Sequence, residues 1–424
     1  MTKQRTKQFL SLPQAQAAER STRSGASALE RWLLCKLLRL MGDPSLRFAL
    51  WDGTSVAGNT DRTPRAGISI PNRRVLWHLL ANPGLNFGDD YSAGVITVEG
   101  DLRALLESVY GAMVATPQRG LLQRYALNRP IWVRRNSLAG SKRNIHHHYD
   151  LGNEFYRLWL DTELAYTCAY FPQPEVSLEA AQLAKMELVC RKLQLHPGER
   201  VIEAGCGWGA LALYMARHYG VTVTAYNISH EQIVYARARA RREGLHGQVE
   251  FIEDDYRNIR GQCEAFVSVG MLEHVGRTNH RHFGAVIDAC MSPGGRGLVH
   301  SIGQNQPCAM SPWLERRIFP GAYPPTLREM AALLEPFGFV VVDVENLRQH
   351  YAKTLEHWLA RFDAHVEQIT AMYDASFVRA WRLYLAASMA NFTTNALQLY
   401  QVLFTRPART DAPWTRAYLY SDQR

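Results

Sequence analysis

Apolar spacing changes texture along this chain near residue 145. Before that point, Leu29, Trp32, Leu33, Leu37 and Leu40 recur three and four residues apart between Ala28 and Met41, with Arg31, Lys36 and Arg39 interleaved. That spacing predicts an amphipathic helix, because such positions share one face at 3.6 residues per turn. Leu46–Trp51, Gly67–Ile70 and Gly94–Val98 read as short strands between Gly, Asn and Pro turns, and Leu102–Val114 reads as a second helix. Residues 21–115 are thus expected to form a small α+β N-terminal domain, after a polar leader over 1–20 expected to be poorly ordered.

From Ile145 onward, short apolar runs alternate with helical stretches, the pattern of a mostly parallel sheet. Strands are expected at Arg200–Ala204, Val221–Tyr226, Val249–Ile252, Ala265–Val269, Arg296–Ser301 and Phe339–Val344, with a last one near Tyr400–Phe404. Two long helical stretches, Leu355–Tyr373 and Ala375–Leu397, precede the last strand. Residues 144–424 are therefore expected to be one α/β domain with a Rossmann-like sheet.

Composition sharpens this division. With 424 residues, 47% of them hydrophobic, the chain exceeds one compact core. The formal charge of +9 points to an anionic partner, a nucleic acid or an anionic lipid surface. No acidic residue occurs between Glu107 and Asp150, whereas Arg119, Arg124, Arg129, Arg134, Arg135, Lys142 and Arg143 do. Residues 116–143 read as a basic linker, either a solvated connector or a surface for phospholipid headgroups. The seven cysteines include no CxxC pair, which fits reduced thiols rather than a zinc site or disulfide framework. The N-terminus lacks the apolar stretch of a signal peptide, and no apolar run is long enough to span a bilayer. A cytoplasmic protein that touches the membrane peripherally, from its inner face, is expected.

Candidate chemistry clusters in the second half. Gly205-Cys206-Gly207-Trp208-Gly209 follows a predicted strand and opens a predicted helix, where glycines admit a ligand close to the backbone and free N–H groups meet it. The spacing is G-x-G-x-G, not the dinucleotide G-x-G-x-x-G. Glu203 suits a cationic amino group, which favours S-adenosylmethionine over NAD. The second strand ends in Asn227 where nucleotide folds usually carry an acid, and Gln232 could share its task. Glu273 and His274 lie just past a later strand, His300 ends the next, and Tyr351 follows the sixth. Glu273 reads as a general base, the orienter of one, or a helix cap. His146, His147 and His148 cannot converge on one metal ion, so no metal is expected. The aromatic tract Asn144–Phe171 reads as a mobile lid whose rings suit a sulfonium or a carbocation.

The motifs HYDLGNEFYRLWLD, YTCAYF, EAGCGWG, VGMLEHVG, IFPGAYPP, ENLRQHYAKTLEHW and LQLYQVLF occur in that order. Together they resemble the cyclopropane-fatty-acyl-phospholipid synthases and the related mycolic acid cyclopropane synthases, from about residue 140 to 405. ALWDGT at Ala49 is similar to the accessory N-terminal domain of longer bacterial members. The resemblance implies a class I methyltransferase fold. It implies S-adenosylmethionine held by Tyr166 and Thr167, by Val201–Gly209 with Glu203, by Asn227, Ile228 and Gln232, and by Tyr256 and Arg257. It also implies a bicarbonate ion acting as base amid Cys168, Glu273, His300, Ile302 and Tyr351, oriented by Glu273. Three positions depart from the family pattern: Asn227-Ile228-Ser229 replaces TLS, Ser388 stands where some members carry a cysteine, and Asn391-Phe392-Thr393 replaces AxFR.

The implied reaction methylates the cis double bond of an unsaturated phospholipid acyl chain at an anionic membrane surface and closes a cyclopropane ring. Methyl or methylene branching without ring closure, or a non-catalytic lipid-binding role, are the alternatives. Nucleic acid is not an expected partner, for want of an NPPY-type loop or a prolyl-cysteine nucleophile. A homodimer remains open.

Overall fold

The computed structural model describes residues 25–58, 64, 66–116 and 151–420. The expected leader, the linker beyond Thr116 and the three adjacent histidines lie outside the described residues. The chain divides into two compact units: Met1–Ile131 with Cys308–Pro320 and Leu355–Leu397, and Trp132–Pro307 with Gly321–Thr354 and Gln398–Arg424. The compact units therefore do not follow the continuous division at residues 115 and 144 that apolar spacing suggested.

The first unit holds a four-stranded sheet in the order β2-β1-β3-β4, with β1 at Arg47–Leu50, β2 at Ser55–Ala57, β3 at Ala66–Ile70 and β4 at Thr97–Gly100. The helix Ala28–Leu40 starts at a capping box in which Ser27 and Glu30 satisfy each other's backbone N–H groups. Its buried face carries Glu30, Leu34 and Leu38, while Leu29 and Trp32 are exposed. The apolar stripe read from sequence is thus rotated, because Glu30 goes inside to meet Arg73 at 2.7 Å. The strand expected at Gly94–Val98 begins only at Thr97. Before it, the helix Pro83–Ser92 is closed by Gly94 at φ +76°, and Val95 and Ile96 both return N–H bonds to the Asp90 carbonyl.

Later chain segments complete this unit. The helix Ala375–Thr393 packs on both Leu102–Ala115 and Pro83–Ser92. Arg317, from the helix Pro312–Arg317, forms a two-pronged buried pair with Asp89 at 2.9 and 2.7 Å.

The second unit is built on a seven-stranded sheet in the order β10-β11-β9-β8-β5-β6-β7. Its strands are β5 Arg200–Ala204, β6 Thr222–Asn227, β7 Val249–Glu253, β8 Cys263–Val269, β9 Met291–Gln304, β10 Val340–Asn346 and β11 Leu397–Thr405. The pairs β5–β6, β6–β7, β5–β8 and β8–β9 are parallel, whereas β10–β11 is antiparallel. The α/β class I methyltransferase expectation holds. Strand alternation divides the core: Val201, Val223 and Val267 pack with the helices Leu178–Lys192 and Ala210–Tyr219, and Ile202, Phe266 and Val299 with the helices His280–Cys290 and Leu327–Leu334.

Element ends moved where local chemistry outweighed periodicity. The stretch expected as one helix over Leu355–Tyr373 is two, Arg348–Ala364 and Val366–Met372. The next helix stops at Thr393, and Asn395 at φ +67° turns the chain into β11, three residues before the expected strand start at Tyr400.

From β5 the chain steps to β6 and β7, then crosses back to β8 and β9. The point where strand order reverses lies between β5 and β8, and parallel sheets open a crevice there, beyond the carboxyl ends of the strands.

Candidate active site

A cavity occupies that crevice. Its wall includes Glu203 near the end of β5 with Gly205, Cys206, Gly207 and Trp208 beyond it, Val269 ending β8 with Gly270, Met271 and His274 beyond it, and Asn227 ending β6 with Gln232 on the helix that follows. Leu164, Ala165, Tyr166 and Thr167 close one side, with Lys185 behind them.

The glycine turn is shaped by its neighbours. At Gly205, φ +88°, a Cβ would stand 2.9 Å from the Met271 side chain, so the loops after β5 and β8 touch there. Gly207 faces open space, whereas a Cβ on Gly209 would meet the Phe251 ring at 2.6 Å. Gly209 is therefore a packing glycine at the start of the helix Ala210–Tyr219 rather than part of the wall.

Glu203 is buried, and its Oε2 has no hydrogen-bond partner. Burial raises its pKa to about 8, although Lys185 pulls it down. Lys185 is itself buried and donates to the Thr167 hydroxyl at 2.9 Å. Desolvation lowers its pKa, and Asp161, Cys168 and Glu203 oppose that shift. Asp161 holds the turn in front of Tyr166 by accepting the Ala165 and Glu163 N–H groups at 2.8 and 3.0 Å. That turn carries Leu164 at φ +57°, a left-handed conformation uncommon outside glycine.

At the β6 end, the Asn227 amide donates to Gln232 Oε1 at 2.7 Å and to the Gly207 carbonyl at 3.3 Å. Its oxygen accepts the Ile228 N–H at 2.9 Å. Asn227 and Gln232 thus form a polar edge, and Ile228 contributes its backbone from outside the wall. Tyr256 and Arg257 also lie outside the wall. Tyr256 packs edge-on against Phe283 with ring centres 5.4 Å apart, and Arg257 pairs with Asp255 at 2.7 Å.

A second set of groups lies beside this one. Glu273 is buried, with Oε1 accepting the Ile302 N–H at 2.6 Å and Oε2 unpartnered. Burial pushes its pKa to about 7, with backbone N–H groups pulling the other way. His300, opposite Val269 in the β8–β9 register, is buried and has its pKa lowered to about 3 by desolvation, then by Lys185 and Lys192. Cys168 is buried with its pKa raised by desolvation, so it is a thiol and no nucleophile. Its Sγ lies 3.9 Å from the Leu347 carbonyl, which also accepts the Tyr351 N–H at 3.1 Å. Residues 168–171 are further tied to the helix carrying Tyr351 by Ala169 N–H to the Thr354 hydroxyl and Phe171 N–H to His350, both at 3.0 Å.

The structure thus joins Glu273 directly to Ile302, and Cys168 to Tyr351 through one carbonyl. Glu273 and His274 part company: His274 lines the cavity, half-buried and with its pKa lowered to about 4 by desolvation, whereas Glu273 turns toward Ile302. The aromatic tract is no mobile lid over its described residues. Phe155, Tyr156 and Trp159 are buried and packed with Tyr166 and Trp208, and Trp208 donates to Asn153 at 2.7 Å.

Sequence reasoning missed Lys185, Lys192 and Gln401. Lys185 lies on the buried stripe Leu178, Ala181, Gln182, Lys185, Val189, so a charge at an apolar position was the available signal. Among the described residues no cluster of His, Cys, Asp or Glu could hold a metal ion.

The family model for mycolic acid cyclopropane synthetase matches residues 136–402. The chain belongs to this family. A domain of unknown function matches residues 33–116. The chain is 33% identical to a probable fatty acid methyltransferase of Pseudomonas putida, over 88% of this chain and 96% of that one. It is 42% identical to the cyclopropane-fatty-acyl-phospholipid synthase of Escherichia coli K12, over 61% of this chain and 66% of that one. Among solved structures, mycolic acid cyclopropane synthase CmaA1 complexed with SAH and CTAB superposes with TM-score 0.60 and 27% identity, covering 62% of this chain and 98% of that one. The family member described here is an S-adenosylmethionine-dependent methyltransferase. No helix among the described residues is long and apolar enough to cross a membrane.

Proposed function

We propose that this enzyme methylates the cis double bond of an unsaturated phospholipid acyl chain and closes the product to a cyclopropane ring. The observation that carries the reading is a pair of buried carboxyl groups, each with an unpartnered oxygen: Glu203 near the end of β5 and Glu273 in the short helical turn after β8, either side of the sheet's switch point. A buried polar atom without a partner is costly unless a ligand completes it.

Glu203 suits the ammonium of S-adenosylmethionine, with Gly207 leaving room for the backbone approach and Asn227 and Gln232 for the ribose edge. Glu273, His300, Ile302, Tyr351 and Cys168 suit a small oxyanion such as bicarbonate, with Glu273 Oε2 accepting its hydroxyl. When bound, the two groups supply an electrophilic methyl and a proton acceptor. The chain's own part is to hold Glu273 by the Ile302 N–H, to keep His300 neutral by burial, and to present aromatic rings at Tyr166 and Trp208 where water would intercept a cation. The alkene is a poor nucleophile, so rate depends on this fixed geometry. The formal charge of +9 favours meeting the substrate at an anionic bilayer surface, with the enzyme peripherally bound.

A second outcome, methyl branching without ring closure, is favoured by the similarity over most of the chain to proteins named fatty acid methyltransferases. One experiment decides. Purified enzyme is given S-adenosylmethionine with a trideuterated methyl group and vesicles of anionic unsaturated phospholipid. A ring retains two deuterons and gives the upfield proton signals of a cyclopropane, whereas a methylene branch also retains two but shows alkene carbon signals and no ring protons. Three retained deuterons would establish branching by proton loss from the chain, and unlabelled acyl chains would sink the substrate assignment.

A further inference from the structure

The His300 ring is wired to side chains that the reaction outlined above does not use. Its Nδ1 lies 3.1 Å from Gln401 Nε2, on β11. Gln401 Oε1 accepts from Lys192 Nζ at 2.7 Å, and the same ammonium reaches Glu345 on β10 at 2.5 Å. His300, Gln401 and Lys192 are each no more than 1% exposed.

The donors and acceptors of this chain determine one another. An ammonium donates and cannot accept, so the Gln401 atom facing Lys192 is the oxygen. The atom facing His300 is then the amide NH2, which donates, so Nδ1 must carry a lone pair. A neutral imidazole with Nδ1 unprotonated has its proton on Nε2. An imidazolium would set an N–H against the amide N–H, so the same geometry excludes the charged ring.

We infer that Lys192 and Gln401 are positioning residues that lock His300 as the neutral Nε2–H tautomer, so that the ring offers its surroundings a hydrogen-bond donor and never a base. The consequence for the reaction rests on the reading of His300 as a ligand of the bound oxyanion; the tautomer rests on the network alone. A donor at Nε2 suits an anionic or carbonyl oxygen. It also excludes His300 as acceptor of the proton lost from the transferred methyl group, which leaves that task to the oxyanion beside Glu273.

Selective 15N-histidine labelling of the full chain tests this directly, with His300→Asn used only to assign the signal. At pH 7 the expected spectrum has Nδ1 as the lone-pair nitrogen and Nε2 as the protonated one; the reverse assignment or an imidazolium would overturn the inference. Gln401→Glu supplies the decisive variant, because a carboxylate accepts from both Lys192 and the ring. The proton should move to Nδ1, and turnover should fall about 10²-fold, as for loss of one preorganised donor, with S-adenosylmethionine affinity unchanged. An unmoved tautomer, or a moved one with undiminished turnover, would refute the positioning role. Should that variant not fold, Lys192→Met leaves the amide free to turn, and the single tautomer should give way to a mixture; a retained single tautomer counts against the network. Wild-type protein that shows the Nε2–H form yet labels no acyl chain would retire the proposed substrate and leave this inference standing.

Discussion

Binding of S-adenosylmethionine should release a proton, and Glu203 should be its source. With its pKa raised to about 8 by burial, Glu203 is mostly protonated in the empty cavity at pH 6.5. A ligand ammonium beside it favours the carboxylate and returns the pKa toward the ordinary range. Association at pH 6.5 should therefore expel about one proton, and apparent affinity should rise about tenfold per pH unit below pH 8, or ~1.4 kcal/mol. Calorimetric titration in buffers of different ionisation enthalpy counts the proton, and Glu203→Gln should abolish the release. The stability linkage has the opposite sign from a salt-bridged carboxylate. A folded pKa of about 8 against an ordinary value of 4.5 means the stabilising contribution is complete below pH 4.5 and is lost as pH rises through 8. The ligand-free Glu203→Gln protein should therefore gain Tm over wild type, with the margin widening from pH 6 to pH 8. Equal proton counts in the two proteins, or cofactor affinity unchanged by the substitution, would refute the assignment of Glu203.

Three further outcomes follow from the geometry. Glu273→Gln keeps the acceptor oxygen for Ile302 and removes the carboxylate, so turnover should fall about 10²- to 10⁴-fold while calorimetric cofactor affinity holds; a parallel loss of affinity would place Glu273 in the cofactor site instead. Lys185→Met removes the cation that pulls Glu203 down, so more protons should be released on cofactor binding at pH 8.5 than in wild type, and an identical count would show that Lys185 does not act on Glu203. In the first unit, Asp89→Ala removes the carboxylate that faces the buried Arg317, which is 6% exposed, and should cost about 3–5 kcal/mol; a urea midpoint within experimental error of wild type would show that the pair is not structural.

The sheet was readable because buried parallel strands are runs of Val, Ile and Ala, and all seven predicted segments coincide with strands. The ends were less readable, since Asn395 and Gly94 terminate elements through left-handed backbone that periodicity does not register. The same limit applied to the site. Its glycines and strand-end carboxylates follow from the rule that ligands bind beyond parallel strand ends. Lys192 and Gln401 lie 209 residues apart in sequence, and only the fold brings the ammonium to the amide. The rotated face of the helix Ala28–Leu40 shows the converse: the stripe through Leu29 and Trp32 was legible, but a partner 43 residues away draws Glu30 in and turns that stripe outward.

The division of the chain into units has a consequence for anyone who wishes to take the molecule apart. The backbone passes from one unit to the other five times, at Ile131, Pro307, Pro320, Thr354 and Leu397. No single scission can release either unit whole, and a fragment beginning at residue 144 would carry the helix Ala375–Thr393 without the helices Pro83–Ser92 and Leu102–Ala115 that it packs on. The accessory part is thus not a cassette that can be clipped off or transplanted at one junction. Grafting it onto another member of the family requires exchanging three separate stretches of sequence together, and a gene fusion that moves only the first would leave an aggregation-prone remainder.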